Sequence, residues 1–544
     1  MERRTTLWAT LAVAAAVLAS ACSTSTTSTG GDTPAPATQR VERVRLDAEG
    51  GFGFLSPFAY RAGGRGAVRM RLMFDTLIWQ DAKGDYQPLL AERWTSSVDG
   101  REWRITLRQG VRWHDGLPLT VDDVVFTFQY LQEGPGRNTP ARLLAVKATA
   151  EGPDTVVLVL EQATATFEAT LGGITILPRH VWEKVDDPVK YRGDDALMGS
   201  GPYALESSDL ESGAYLFVAR DDYYLGPPLV RRVEFVPAPN QLLSLRRGEI
   251  DVAQLGIGDD TIPEESFAPF DNDRYGKVTN AGLWNRTIFF GLMQGFPYND
   301  VRFRQAVAYA VDRPDLVKRI LFGRGVVGSM GGLVPAAPTV PPDLPTYDRD
   351  LARAASLLDS IGLRDANGDG IRDLPDGSAF VPEMITNSRF NPKTAELVKE
   401  YLRAAGIDVK IVSLDTATAD AVGAEGKYQL ALVGHGFGSA DPDRLRTTFS
   451  IKSTQKDFMR VYGYDNERFT QLAAEQLVTL DKNRRAEISQ ELQRMVARDV
   501  LSLSLYVTDR IMVFDRTVFD GWYFTPGDLQ VNYKGVFMGN AFAR

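Results

Sequence analysis

Chemistry has few footholds in this chain. Its 544 residues include one cysteine, Cys22, and three histidines, His114, His180 and His435. A single cysteine forms no disulfide within the chain, and three scattered histidines leave few places for a histidine-based triad. No Gly-x-Ser-x-Gly elbow or His-Glu-x-x-His zinc helix occurs. His114 and Asp115 are adjacent, but neighbours in a strand face opposite ways, so His114-Asp115-Gly116 reads as a structural turn. One stretch has the donor spacing of a hard-cation site: Asp365, Asn367 and Asp369 alternate around Gly368, and Asp376 stands at the twelfth position. Against calcium, Asp376 is shorter than the usual bidentate glutamate and Arg372 takes a usually aliphatic position. The competing reading is an Asp/Gly-rich surface loop, so no other cofactor is expected.

Cys22 makes sense only with what surrounds it. Arg3 and Arg4 precede an apolar run from Leu7 to Leu18, and small residues then lead into Ala19-Ser20-Ala21-Cys22. That is the layout of a secretory signal peptide, too short for a stable membrane span. Cys22 is either incidental to a discarded leader or the acylated residue of a lipobox, although Leu18 lies four positions before it and Ala19 takes the usual leucine position. The Ser/Thr/Gly tract from Ser23 to Gly31, with Pro and Ala from Thr33 to Thr38, cannot bury enough apolar area to fold and reads as a tether. An exported chain, lipid-anchored to the outer face of the cell membrane or periplasmic, is expected. The net charge of −9 lacks the concentrated cationic surface that nucleic acid requires.

From Val41 onward short strands alternate with amphipathic helices. Trp103, Ile105 and Leu107 share one face of a strand at period two. Val121, Val124, Val125 and Phe128 form a helical stripe. Asp300 is placed to cap the helix carrying Phe303, Ala306, Val307 and Ala310. Asp348 is expected to cap another, with Ala354, Ala355, Leu358 and Ile361, stopping at Gly362. Leu397, Tyr401, Leu402 and Ala405 mark a third, ending at Gly406, with Ile407, Val409 and Ile411 as the next strand. Two late helices carry Phe469, Leu472, Ala473, Leu477 and Leu480, and Ile488, Leu492, Met495 and Val496. Helix, glycine stop, strand is the grammar of an α/β fold.

An ordered series of motifs goes further. It runs Asp75-Thr76-Leu77, Pro88 to Trp94, Leu107 to Gly116, Leu119 to Val124, Gly199-Ser200-Gly201-Pro202-Tyr203, Arg247 to Asp251, Val301 to Ala306 and Asp441-Pro442-Asp443. In this order the chain resembles the extracellular solute-binding proteins of the dipeptide, oligopeptide and nickel ABC importers (family 5). The resemblance implies a periplasmic-binding-protein-like (type II) α/β fold, two lobes with a hinge plus an extra domain. The motif positions assign 1–22 to the leader and 23–40 to the tether. They assign 41–72, 199–278 and 505–544 to lobe I, 73–198 to the extra domain and 279–504 to lobe II. It further implies a non-enzymatic monomer that captures a peptide-like solute between its lobes and delivers it to the transporter's membrane subunits. Oligosaccharide or metal-chelate binding, and less so a secreted hydrolase, are the alternatives.

The same resemblance points to ligand-facing residues: Phe54 from lobe I, and Trp284, Asn285, His435, Phe437, Gly438 and Asp441 from lobe II. Peptide-binding members hold the ligand's amino terminus with an aspartate where this chain has Gly438. A buried ammonium without a counter-charge is costly. Asp441 is the candidate substitute, unless the solute has no free amine.

Overall fold

The computed structural model describes residues 39–48, 54–59, 65–81, 83–133, 146–255, 262–388, 390–436, 441–453, 460–524 and 533–539. The expected leader, Cys22, nearly all of the tether, Phe437 and Gly438 lie outside the described residues. Among the described residues no helix is long and apolar enough to cross a membrane.

The strands, in chain order, are β1 (Val41–Asp47), β2 (Ile78–Gln80), β3 (Tyr86–Pro88), β4 (Ala91–Ser96), β5 (Glu102–Leu107), β6 (Val146–Glu151) and β7 (Thr155–Leu160). They continue with β8 (Tyr203–Asp209), β9 (Ala214–Ala219), β10 (Val230–Val236), β11 (Val252–Leu255), β12 (Tyr275–Phe290) and β13 (Gly325–Val327). The last are β14 (Glu383–Asn387), β15 (Lys410–Leu414), β16 (Leu430–Gly436) and β17 (Ser502–Asp515). One large sheet runs β15-β14-β16-β12-β17-β11-β1-β10-β9-β8, with β13 on β17; a smaller one runs β4-β5-β7-β6.

Three main hydrophobic cores organise around these sheets. Val44, Phe217, Phe235, Trp522 and Phe537 centre the first. Trp103, Trp113, Phe128, Leu158 and Phe167 centre the second, under the smaller sheet. Ile288, Phe303, Val398, Leu430, Phe469 and Leu503 belong to the third. The alternating face of β5 is buried as its period predicts, and Val121, Val124 and Phe128 turn inward on the helix Val121–Glu133.

Several motifs prove to be packing and capping devices. A Cβ on Gly199 would lie 1.9 Å from the Met73 carbonyl oxygen, and one on Gly201 2.5 Å from the Met73 carbonyl carbon. Only glycine lets the chain pass so close, where the Gly201 amide donates to Met73 O at 2.7 Å. Gly248 ends the helix Gln241–Arg247 with φ +69°. Three residues on, Asp251 takes Arg45 Nη2 at 2.6 Å and Nε at 3.1 Å. Arg304 donates to the carbonyls of Tyr298, Asp499 and Val500, which closes the C-terminal end of the helix Lys482–Asp499.

Three sequence expectations shift. The helix Leu351–Ser360 is capped by Asp350, whose carboxylate accepts from the Arg353 amide at 2.9 Å, and not by Asp348. β15 begins at Lys410, where its ladder with β14 starts opposite Glu383; Ile407 and Val409 are fully buried but precede it. Leu480 falls beyond the helix Glu467–Val478 and is 43% exposed.

Candidate functional site

β12 and β17 are the long central pair of the large sheet. Tyr275–Asn280 pairs with Asp515–Arg510, and Trp284–Phe289 pairs with Thr508–Ser502, with the register shifted between Asn280 and Trp284 and again between Arg286 and Thr287. β11 joins β17 along Ile511–Phe514, while β16 joins β12 along Trp284–Phe290. Two long strands whose register shifts twice within a few residues can bend there, because the local dihedrals change at the shifts while the ladders on either side stay intact.

The register fixes which side chains share a face at this junction. Trp284 stands opposite Gly436 and Thr508, and Arg286 opposite Gly434 and Tyr506. By alternation Arg510 joins that face, whereas Asn285 and Asp509 point the other way. Arg286, Tyr506 and Arg510 are buried. Phe390, in the loop after β14, lies 4.2 Å from the Arg286 guanidinium and 6.1 Å from the Trp284 ring. Thr394 Oγ1 and Tyr506 OH are 2.9 Å apart, and Gln254 reaches both Arg510 and the Tyr533 hydroxyl. This is a polar, aromatic surface at the carboxyl ends of β14 and β16, where open α/β sheets bind ligands.

Trp284 and Asn285 are therefore at the junction, but on opposite faces. Asn285 is 1% exposed, and its amide oxygen accepts from Ser504 Oγ at 2.6 Å, which holds β12 to β17. His435 is in register with Asn285 on β16. Phe54 packs elsewhere, against Leu177, Val181, Trp182 and Ala196, with the Arg192 guanidinium 5.5 Å from its ring. Asp441 corrects an expectation: Arg485 grips both its oxygens, at 2.6 and 2.9 Å, and one also accepts the Asp443 amide. Its charge is committed to holding the start of the helix Asp443–Phe449 and is a poor substitute for a missing ligand-facing aspartate. Arg286, Phe390, Tyr506 and Arg510 escaped the sequence reading. An arginine inside the strand run Leu283 to Phe290 was the available signal for Arg286.

The other chemical candidates resolve into structure. His114 Nδ1 accepts from the Gly199 amide at 3.3 Å and Nε2 faces Gly201 O at 3.2 Å. Burial, with Arg220 nearby, pulls its pKa down to about 4. Asp115 instead meets His180 Nε2 at 2.9 Å. In the Asp365 loop, Asp365 accepts from the amides of Gly368, Asp369 and Gly370, Asn367 accepts from the Asp369 amide, Asp369 accepts from the Ile371 amide, and Asp376 caps Ser378. The oxygens are turned onto the loop's own backbone. Among the described residues no three His, Cys, Asp or Glu side chains are grouped to hold a metal.

The fold matches solved structures across most of its length. The oligopeptide-binding protein AppA from Bacillus subtilis, in complex with a nonapeptide, aligns with a TM-score of 0.73 at 22% identity, covering 88% of this chain and 95% of that one. In sequence, "Probable di/tripeptide-binding protein 5" of Pseudomonas aeruginosa is 27% identical over 464 residues, 80% of this chain and 84% of that protein. The nickel-binding periplasmic protein of Escherichia coli is 24% identical over 456 residues, 81% and 84% of the two chains. A family model described as the middle part of family 5 matches residues 85–457, and the chain belongs to the bacterial extracellular solute-binding proteins, family 5.

Proposed function

We propose that this chain is the receptor of an ABC importer, capturing a peptide-like solute between its lobes and presenting it to the membrane transporter. The observation that carries this reading is the junction itself. Two hinge strands and the loop after β14 bring a polar and aromatic face, with Arg286, Tyr506 and Arg510 buried and Trp284 and Phe390 half-buried, to the place where the lobes meet. Ligand binding then works by differential affinity, stabilising the closed arrangement over the open one. Relatives named for di- and tripeptides and a like fold holding a nonapeptide support a peptide over other solutes. Export and acylation at Cys22, with residues 23–40 as tether, complete the reading: the receptor stays near its transporter without spanning the membrane.

The test is a thermal-shift panel on the chain lacking residues 1–22, with peptides of several lengths, oligosaccharides and divalent metals. A ligand at a hundred times its dissociation constant adds about 2.7 kcal/mol to stability, a readily measured shift. Stabilisation by peptides without their cleavage is the expected result. Stabilisation by sugars or metals alone replaces the solute but keeps the receptor, and turnover of a peptide revives the hydrolase.

A further inference from the structure

The large sheet is held at its bend by more than its own ladders. β11 and β13 lie end to end along one edge of β17: Val252–Leu255 pairs with Phe514–Ile511, and Gly325–Val327 pairs with Thr508–Tyr506. β12 takes the other edge, and its register shifts opposite the gap between them, from Asn280 on Arg510 to Trp284 on Thr508. A change in the bend therefore changes the spacing between the end of β11 and the start of β13.

Arg324 reaches across that gap. It stands immediately before β13, donates from Nη1 to Glu264 Oε2 at 2.7 Å, and carries its guanidinium 5.0 Å from the Phe267 ring. Glu264 and Phe267 belong to the short 3-10 helix Glu264–Phe270, which is fixed on the β11 side. Phe267 shares a small core with Leu255, Phe270 and Val513, and Lys277 of β12 lies 5.6 Å from its ring. The other end of the contact is fixed on the β13 side by its backbone. Phe322, Gly323 and Gly325 have φ of +52°, +81° and +144°, and a Cβ on Gly325 would lie 2.5 Å from Val507 O. A half-exposed phenylalanine in the left-handed region is disfavoured. The turn it makes brings Arg324 to the neighbouring segment.

We propose that Arg324 is a positioning residue that clasps the sheet across its bend, through Glu264 and Phe267, and so favours the arrangement that holds the solute. An ion pair to a carboxylate that is 77% exposed is weak by itself. The Arg324 side chain is only 19% exposed, and its place over Phe267 adds a cation–π contact. Both are lost together when the gap between β11 and β13 widens, so they act on the bend equilibrium and not on the solute directly. In the same arrangement the Ala165 amide meets Leu477 O at 2.7 Å, so segments far apart in the chain are already drawn together. This inference rests on the receptor reading and adds to it a residue that sets how firmly the receptor stays shut.

The experiment is calorimetric titration of the mature chain with glycine–alanine peptides, from dipeptide to nonapeptide, whose lack of side-chain charge keeps them indifferent to the charge of the variants. Arg324→Gln should weaken binding about fivefold, the factor that corresponds to about 1 kcal/mol for an exposed ion pair with its cation–π contact. Glu264→Gln, on the exposed partner, should weaken it in the same direction, so the test survives if the Arg324 variant misfolds. Arg324→Glu should weaken it further, and Arg324→Glu with Glu264→Arg should restore most of the loss, which a merely structural role for Arg324 would not do. Variants that bind as wild type does or more tightly, or a charge exchange that restores nothing, overturn the clasp and leave the receptor standing. A cooperatively folded wild type that binds none of the peptides overturns the peptide receptor and the clasp with it.

Discussion

His114 shows why a residue that looks chemical in sequence is structural in space. Its ring meets the backbone of the Gly199–Gly201 segment, accepting at Nδ1 from the Gly199 amide and facing the Gly201 carbonyl at Nε2, an arrangement that requires the neutral ring. With its pKa depressed from the usual 6.5 to about 4, the folded protein binds fewer protons than the unfolded chain between those values. Stability is therefore whole above pH 6.5, falls as the pH drops toward 4, and levels off below. Urea unfolding from pH 7 to 4 should show up to one proton taken up on unfolding from this group, and His114→Gln should remove that part of the slope. An unchanged slope would assign the acid sensitivity to other groups. At this scale the sequence was legible where a residue acts alone: Asp300 caps its helix as its position suggests. It was illegible for Asp441 and the Asp365 loop, because which acceptor a carboxylate serves depends on amides and guanidinia from other segments, such as Arg485, forty-four positions from Asp441.

Elements were the most legible level, since their periods are local. The stripes that end at Gly362 and Gly406 form helices, and both glycines take the left-handed turn, at φ +85° and +83°. What the period could not reveal is how one helix end meets another. Val500 takes φ +43° at the end of the helix Lys482–Asp499, and its last carbonyls are met by Arg304 from the helix Val301–Ala310. The Val-Arg-x-Arg-Gln-Ala motif thus serves a remote helix terminus, supplying a cation to the negative end of its dipole. Arg304→Met keeps length and apolar packing but strands those carbonyls, so a loss on the order of 3 kcal/mol is expected. Chemical denaturation measures it; a loss below about 1 kcal/mol would mean that water replaces the guanidinium without cost.

Asp75 extends the same reasoning to a buried charge that ties distant segments together. It is fully buried; its oxygens accept from Lys534 Nζ, Ser200 Oγ and the hydroxyls of Tyr223 and Tyr224, and Lys534 also donates to Phe74 O. Burial lowers the Lys534 pKa, while Asp75 opposes that shift. Removing either charge strands the other, so Asp75→Asn or Lys534→Met alone should cost about 3–5 kcal/mol, and the double variant less than the sum of the two. Additive losses in a denaturation cycle would deny the coupling.

Whole-molecule function turns on which contacts exist only when the lobes are close, and sequence pattern says nothing of them because they join stretches hundreds of residues apart. Leu480 illustrates the point: its stripe assigned it to a helical core, yet it leaves the helix and lies against the turn before β5, where a Cβ on Gly100 would come within 2.6 Å of its Cδ1. Beside it the Ala165 amide donates to Leu477 O at 2.7 Å. These contacts join the segments around Gly100 and Ala165 to the end of the helix Glu467–Val478 directly, without passing through β12 or β17. A contact made only when the lobes come together adds to the closed state and, by linkage, to solute affinity. Leu480→Ala removes part of a half-exposed side chain, about 1 kcal/mol, so solute affinity should fall about fivefold while the unfolding of the solute-free chain shifts little. Titration with the best solute, alongside small-angle scattering of the free and bound protein, separates the outcomes. A weaker complex with more open free protein supports a closing latch, whereas equal affinity with lower stability would make Leu480 ordinary packing.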